Sequence, residues 1–533
     1  MRRFLASLVL AILAACTRET PAPPPPAPAP PVQRDGGQVV IRLSGDVQTL
    51  NYILHATENE RQVLDLLYDP MIALDANMAP IPATIARWEI LNGGKTFMLH
   101  VDPRATFSDG TPVRARDVVF TVESIVRQES MQFAGAFETL DLEMTKIVDD
   151  HTARVVFTEA RAGQLLSFNI GVLPQHIYGR GDFKKNTQVI GNGPYVLKAR
   201  GRDRSLLLTR REDYWREKPR LESIRFRVIS DDAVVWKALQ RGDIDVGRID
   251  NDVWVRVKDD PSAASLVFNE IYRLAYNCIA WNTSDPLLDD VRVRRALAML
   301  FDRQTVIDRL YAGQARPVSG PFTPDQWAHN AEIQPIAFNP PAASALLSSA
   351  GWTDSDGDGV LDREGKKFTL ALLIIAGSKV SRDLGQVYQE SLRQAGVQLE
   401  LRVIDEAAFY ESVLQRNFQA AFLSWVNEPD PDPYGLFHSS QFAPTGMNVV
   451  GYRSEEADQL MTEARSEVDR ARRADLYHQL HDVLSRDQPY LWTVQVAEKW
   501  AVNRRVENVQ VAKGLGLFGW YPGVRAWGAK EKR

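Results

Sequence analysis

Residues 368–425 alternate between two hydrophobic periods, and no other feature of the chain restricts the fold as much. Phe368 through Ile375 reads FTLALLII, almost wholly apolar, between Lys366-Lys367 and Gly377. A short apolar run bounded in this way predicts a strand buried on both faces. Leu384, Val387, Tyr388 and Leu392 then fall on one helical face, and Gly396 supplies the stop. Val397, Leu399, Leu401 and Val403 alternate with polar residues, the period of a strand. A second helix over about 406–416 leads to a third apolar strand at Ala420-Ala421-Phe422-Leu423. Strand, helix, strand, helix, strand in quick succession calls for a parallel sheet with right-handed crossovers. The fold class is therefore α/β.

Other elements carry clean punctuation. Asn339-Pro340 predicts a cap and first-turn proline, with Ala343, Leu346, Leu347 and Ala350 facing inward and Gly351 ending the helix. Asp289-Asp290 predicts the start of one helix that carries Val293, Leu297, Leu300 and Phe301 on its inner face and ends before Gly313. Phe97, Leu99 and Val101 alternate along a strand that leads to the turn-like Ser108-Asp109-Gly110-Thr111-Pro112. His478 and His481 lie on a helix over 471–484, and two histidines on what reads as a solvated face fall short of a metal site.

The amino-terminal end has its own logic. Arg2 and Arg3 precede an apolar run over 4–15 that closes on Leu13-Ala14-Ala15-Cys16. Basic head, short apolar core and small residues at the cut are the parts of a secretory signal peptide, too short for a permanent span. Residues 17–37 are dominated by Pro and Ala. Proline fixes φ and removes the backbone donor, so this stretch predicts an extended, semi-rigid spacer ahead of a body that begins near Gln38. With 533 residues the chain is long enough for about three domain-sized units. Its net charge of −5 gives no footing for a nucleic-acid partner. Beyond Cys16 the only cysteine is Cys278, in an apolar setting that predicts a small buried residue.

The most suggestive candidate site follows the third strand of the parallel unit. Trp425-Val426-Asn427-Glu428-Pro429-Asp430-Pro431-Asp432-Pro433-Tyr434 lies beyond a strand's carboxyl end, where open α/β sheets collect ligands. Glu428, Asp430 and Asp432 on a proline-stiffened loop suit a cation, and Trp425 suits the apolar part of a guest. The same composition also describes an acidic surface loop. Asp354, Asp356, Asp358 and Asp362, with Gly359 between them, match the spacing of a calcium loop at four ligand positions. Its twelfth position is Gly365 in place of the bidentate Glu, and Asp-Gly repeats are also plain turn formers, so metal binding is the weaker reading. No nucleophile elbow, metal-binding His-Glu-x-x-His or phosphate-cradling glycine loop occurs, and no catalytic residue or cofactor is expected.

Several blocks in order resemble the family 5 bacterial extracellular solute-binding proteins, the dipeptide- and oligopeptide-binding lipoproteins of ABC importers. They are Thr49-Leu50-Asn51 with Tyr68-Asp69-Pro70-Met71-Ile72-Ala73-Leu74; Ala86-Arg87-Trp88 with the segment 107–120; and Gly191-Asn192-Gly193-Pro194-Tyr195 with Asp213-Tyr214-Trp215. Leu239 to Asp245 (LQRGDID), Asp290 to Leu297 (DVRVRRAL) with Phe301-Asp302-Arg303, and Ala350-Gly351-Trp352 continue the series. Cys16, right after the small residues, resembles a bacterial lipobox cysteine, which becomes the lipidated first residue of the mature protein; an ordinary secretory signal that happens to contain a cysteine is the alternative.

The resemblance implies a two-lobed periplasmic-binding fold with a hinge. It places the signal peptide at 1–16 and the tether at 17–37. The core of lobe I falls at 38–74, 192–275 and 491–533, its extra subdomain at 75–191, and lobe II at 276–490, with crossings near Tyr276 and Tyr490. Peptide-binding members hold the ligand's amino terminus with an acidic residue three positions after the motif tryptophan. That position here is Glu428, where those members carry Asp, and the next Asp-Pro is either Asp430-Pro431 or Asp432-Pro433. Asn51 joins the implied ligand contacts, with Arg382 or Lys379 at a helix start for the ligand's carboxylate. The implied partners are a peptide or similar solute, ABC permease subunits and a membrane reached through the lipid on Cys16. The protein itself would be a monomer, exported and lipid-anchored, and periplasmic in a Gram-negative host. A tethered hydrolase, or a receptor reporting solute to a sensor without transport, would share the exported setting.

Overall fold

The computed structural model describes residues 36–531 except 129, 131 and 443–445. The signal peptide, Cys16 and nearly all of the tether lie outside the described residues. The strand and helix alternation of 368–425 is present as strands Thr369–Ile375, Gln398–Ile404 and Ala420–Val426 with helices Lys379–Gln394 and Glu406–Leu414. Thr369–Ile375 lies between the other two strands and pairs parallel with both. Leu370, Leu372 and Ile374 enter one core while Leu373 enters another, so the strand is buried on both faces as its apolar run requires. Antiparallel strands Ala275–Trp281 and Tyr490–Trp492 complete a five-stranded sheet.

The helix Lys379–Gln394 begins earlier than its apolar pattern, because Ser378 caps it by accepting from the Ser381 N–H while the first turn stays largely polar. Asn339 caps Pro340–Ser349 as its sequence predicts. The single helix expected from Asp289-Asp290 is instead two. Asp290 caps Val291–Met299 and Asp302 caps Arg303–Tyr311, with Leu300 and Phe301 buried at the break. The apolar spacing runs straight through the interruption and hides it. A second correction concerns His481, which is fully buried on helix Arg470–Asp487 rather than solvated. Its Nδ1 accepts from the Asn330 N–H at 3.2 Å, which leaves Nε2 to donate to Ser319 Oγ at 3.0 Å. His478 is half-buried. Cys278 is buried, as its setting predicts.

The larger sheet has eight strands. Its main path runs Leu266–Tyr272, Val494–Asn503, Val246–Ile249, Gln38–Leu43, Ser223–Val228, Leu206–Arg210, Tyr195–Arg200, and Ala315–Pro317 also pairs with Val494–Asn503. A four-stranded sheet, Ile85–Leu91, Thr96–Val101, Thr152–Val156 and Lys146–Asp149 in order, shares a hydrophobic core with one face of the larger sheet. Apart from its excursion to Ala315–Pro317, the chain passes from the eight-stranded to the five-stranded sheet through Arg273 and Leu274, and back through Thr493. The two passages are tied together: Thr493 Oγ1 donates to the Asn277 carbonyl at 2.8 Å, and Gln495 Nε2 to the Arg273 carbonyl at 2.7 Å. Among the described residues no helix is long and apolar enough to cross a membrane.

Candidate functional site

The loop after strand Ala420–Val426 opens onto a cavity of about 690 Å³. Its opposite wall comes from remote parts of the chain: helix Glu58–Leu67, segments between 132 and 170 of the extra region, the passage at Arg273-Leu274, and Gly514 to Gly519. The cavity thus sits where elements of the two main sheets face each other, beside the passage between them.

Period-two geometry decides which residues of the loop reach it. Val426 is 75% exposed and lines the cavity. Trp425 points to the other side of the strand, where it packs on the cluster holding Tyr276, Phe437 and Tyr490, and it is absent from the lining. Glu428, Asp430 and Asp432 all line the cavity, and their environments differ. Asp430 accepts from Arg473 Nη2 at 2.6 and 2.8 Å, and the Arg473 side chain is only 4% exposed. Burial pushes the Asp430 carboxyl above its ordinary pKa, with the guanidinium groups of Arg473 and Arg470 pulling the other way. Asp432 accepts from Arg465 Nε at 2.7 Å and from the Tyr434 N–H at 3.2 Å. The Arg465 guanidinium is held in addition over the Tyr434 ring, 4.1 Å from its centre. The Glu428 carboxylate is exposed and has no partner among the described residues, while its backbone carbonyl accepts from Gln326 Nε2. Asn427 Nδ2 donates to the Pro321 carbonyl and to Gln326 Oε1, both at 2.7 Å, which holds the loop from behind.

The other sequence candidates lie elsewhere. Asn51 is 3% exposed, with Oδ1 accepting from the Ile53 N–H, and is not in the lining. Arg382 is exposed near the start of helix Lys379–Gln394, Lys379 pairs with Asp383 at 2.6 Å, and neither reaches the cavity. Sequence reasoning missed the facing wall: Glu58, Arg61 and Asp65 on one helical face, Arg273 at the passage, and Gly163 beneath Asp430. The spacing of 58, 61 and 65 was visible, but a charged stripe on a helix reads equally as a solvated face.

Asp354, Asp356 and Asp362 each bring a carboxylate oxygen within 4.8 Å of the others, a grouping able to hold a cation. Lys367 Nζ lies 2.7 Å from Asp356 and 2.9 Å from Asp358. Asp354 accepts from the Gly357 and Gly359 N–H groups, and Asp362 from Ser355. These carboxylates close the loop's own turns and surround an ammonium.

The chain matches the model for bacterial extracellular solute-binding proteins, family 5 (middle) over residues 79–446. It is similar to the oligopeptide-binding protein AppA of Bacillus subtilis, 27% identical over 96% of each chain. It is also similar to the nickel-binding periplasmic protein of Escherichia coli, 24% identical over 81% of this chain and 83% of that one. Among solved structures it resembles Bacillus subtilis AppA in complex with a nonapeptide, with a TM-score of 0.74, 26% identity and coverage of 94% of this chain and 100% of that one. Its fold also matches NikA from Brucella suis in complex with Fe(III)-EDTA, with a TM-score of 0.81 at 20% identity over 93% and 100% of the two chains. The two-lobed fold of the peptide-binding type is thereby established.

Proposed function

We propose, from the premise that this chain belongs to the family 5 bacterial extracellular solute-binding proteins, that it is the lipid-anchored substrate-binding component of an ABC importer for a peptide or similar small solute. The observation that carries this reading is the position of Glu428. It is the one lining carboxylate left without a partner among the described residues, on a loop fixed from behind by Asn427 and opposed by a second wall. An ammonium in that cavity would form a charge-assisted hydrogen bond that strengthens as water is excluded. The likeness to an oligopeptide-binding protein over nearly the whole chain supports peptide as the guest.

Closure supplies the mechanism. A guest held on the 426–432 loop lowers the free energy of the closed state by also touching Glu58, Arg61 or Arg273, and so shifts an open–closed equilibrium. Arg273-Leu274 and Thr493 form the hinge, and their cross-ties confine the motion to rotation about one seam. The loaded, closed protein then docks on its permease. Cys16 and the Pro/Ala tether would hold the body near the membrane. Hydrolysis suits this cavity poorly: among the described residues its lining contains Ser167 but no histidine or cysteine to activate it.

Titration of Glu428→Gln with a free peptide and its N-acetylated form tests the clamp. The variant is expected to lose about ten-fold or more for the free peptide and little for the acetylated one. Equal losses for both would remove Glu428 from the amino-terminal role. Loss of peptide uptake in a deletion strain separates transport from sensing, and release of a Cys16→Ser variant from the membrane fraction tests the anchor.

A further inference from the structure

The cavity's charges balance in a way that restricts its guest further. Among the described residues, five carboxylates and five arginines line it. Arg61 donates through Nε to both oxygens of Asp65 at 3.1 Å, with Nη2 on Asn169 Oδ1 at 3.3 Å. Arg273 reaches Glu58 at 3.3 Å. Arg465 and Arg473 hold Asp432 and Asp430. Arg161 is taken by Glu138, just outside the lining, and by the Gly135 carbonyl. Each of these lining arginines is therefore engaged, and Glu428 is the one lining carboxylate without a partner among the described residues.

We infer that the cavity selects guests of net positive charge, an ammonium without a matching free carboxylate, over zwitterions. The inference rests on the proposed role of Glu428 and goes beyond it by stating what the rest of the cavity does to the other end of the guest. A guest carboxylate has to take an arginine from the acid that holds it. Taking Arg273 leaves Glu58 without its cation, and taking Arg61 leaves Asp65 with the Tyr52 hydroxyl alone, a loss that grows as closure excludes water. An ammonium beside Glu428 takes no partner from any other group. A carboxylate is therefore tolerated only if it stays in solvent. Guests that fit are peptides with an amidated or otherwise blocked carboxyl end, peptides carrying a basic side chain, and small amines.

Calorimetric titration of the full chain with tri-alanine, tri-alanine amide and N-acetyl-tri-alanine tests this. The amide is expected to bind at least ten-fold more tightly than the acid, and the acetylated form measurably but most weakly of the three. In Glu58→Gln, where Arg273 loses its acid, the preference for the amide over the acid is expected to shrink to about three-fold or less. Equal binding of acid and amide, with the acetylated form still the weakest, would overturn the charge selection while leaving the Glu428 clamp standing. An amide preference unchanged in Glu58→Gln would also overturn it, because the countercharges would then have no part in it. Rejection of all three probes would overturn the selection together with the peptide reading beneath it.

Discussion

A side chain on Gly163 would place its Cβ 3.2 Å from Cγ of Asp430. The two residues come from opposite walls of the cavity, Gly163 from the short turn Ala162–Phe168 and Asp430 from the loop after the five-stranded sheet. Asp430 has no freedom to retreat, because Arg473 grips both of its oxygens. Absence of a side chain at 163 is thus what lets the walls meet. Gly163→Val is expected to weaken guest binding by about ten-fold while changing the stability of the guest-free protein by no more than about 0.5 kcal/mol, the scale of a substitution that can relax outward. Titration and chemical denaturation of the same preparation check both halves. Unaltered affinity would show that the seam is not under pressure when the guest is bound.

The Asp430–Arg473 pair is expected to behave as a buried ion pair. Its partners are 17% and 4% exposed, so removing either leaves a charge poorly solvated. Asp430→Ala and Arg473→Met should each destabilise by about 3–5 kcal/mol, and the double variant by clearly less than their sum. Denaturant titration of the four proteins closes the cycle. Additive losses would mean the two side chains do not depend on each other.

Trp425 was the natural aromatic to assign to a guest, and its register turns it away from the cavity to pack, half-buried, against the cluster of Tyr276, Phe437 and Tyr490. Trp425→Ala is expected to cost about 2–4 kcal/mol of stability, the lower range for truncating a large buried side chain because the ring is only half-buried. Affinity measured on the fraction that remains folded should change by less than three-fold. A large loss of affinity at unchanged stability would return the indole to the guest.

These contrasts mark how far the chain could be read from its letters. The parallel unit was legible because Leu370, Leu372 and Ile374 on one face and Leu399 with Leu401 in the next strand follow strand periods, with Gly396 between them. The break at Leu300-Phe301 was not, since both residues are apolar and buried and only Asp302, one acid among many, announces a new cap. In the site, the loop carrying Glu428, Asp430 and Asp432 could be found from the end of its strand. The partners that give each acid a different role could not. Arg473 lies 43 positions beyond Asp430, and Arg465 lies 33 beyond Asp432. Gly163 and Glu58 lie farther still, and nothing local in one sequence reports such contacts.

The acidic loop at 354–362 offers a plain test. Lys367 already supplies a cation to Asp356 and Asp358. Neither calcium nor a chelator is expected to move the thermal midpoint of the protein, whereas Lys367→Met, which removes the ammonium and leaves the acids facing one another, should gain stability when calcium is added. A calcium-dependent rise in the unmodified protein would show that the ion displaces the lysine.

His481 sets an acid limit on the fold. Burial, with His329 and His478 nearby, pushes its pKa from 6.5 down to about 3. Its ring accepts at Nδ1 from the Asn330 backbone and donates at Nε2 to Ser319, so the neutral form satisfies both nitrogens and a second proton would have no acceptor. A group with a depressed folded pKa binds fewer protons folded than unfolded, so stability falls as pH falls. The contribution of His481 is therefore complete above about pH 6.5 and declines through the window down to about 3. At 1.36 kcal/mol per pH unit, about 2 kcal/mol is lost by pH 5. His329 is shifted down by burial as well and adds a smaller loss of the same sign. His481→Gln keeps a donor and an acceptor without a titrating ring, and should flatten the slope of unfolding free energy between pH 7 and pH 4 by close to one proton. An unchanged slope in that variant would mean that His481 takes up no proton on unfolding, and that the acid sensitivity of the body arises from its carboxylates.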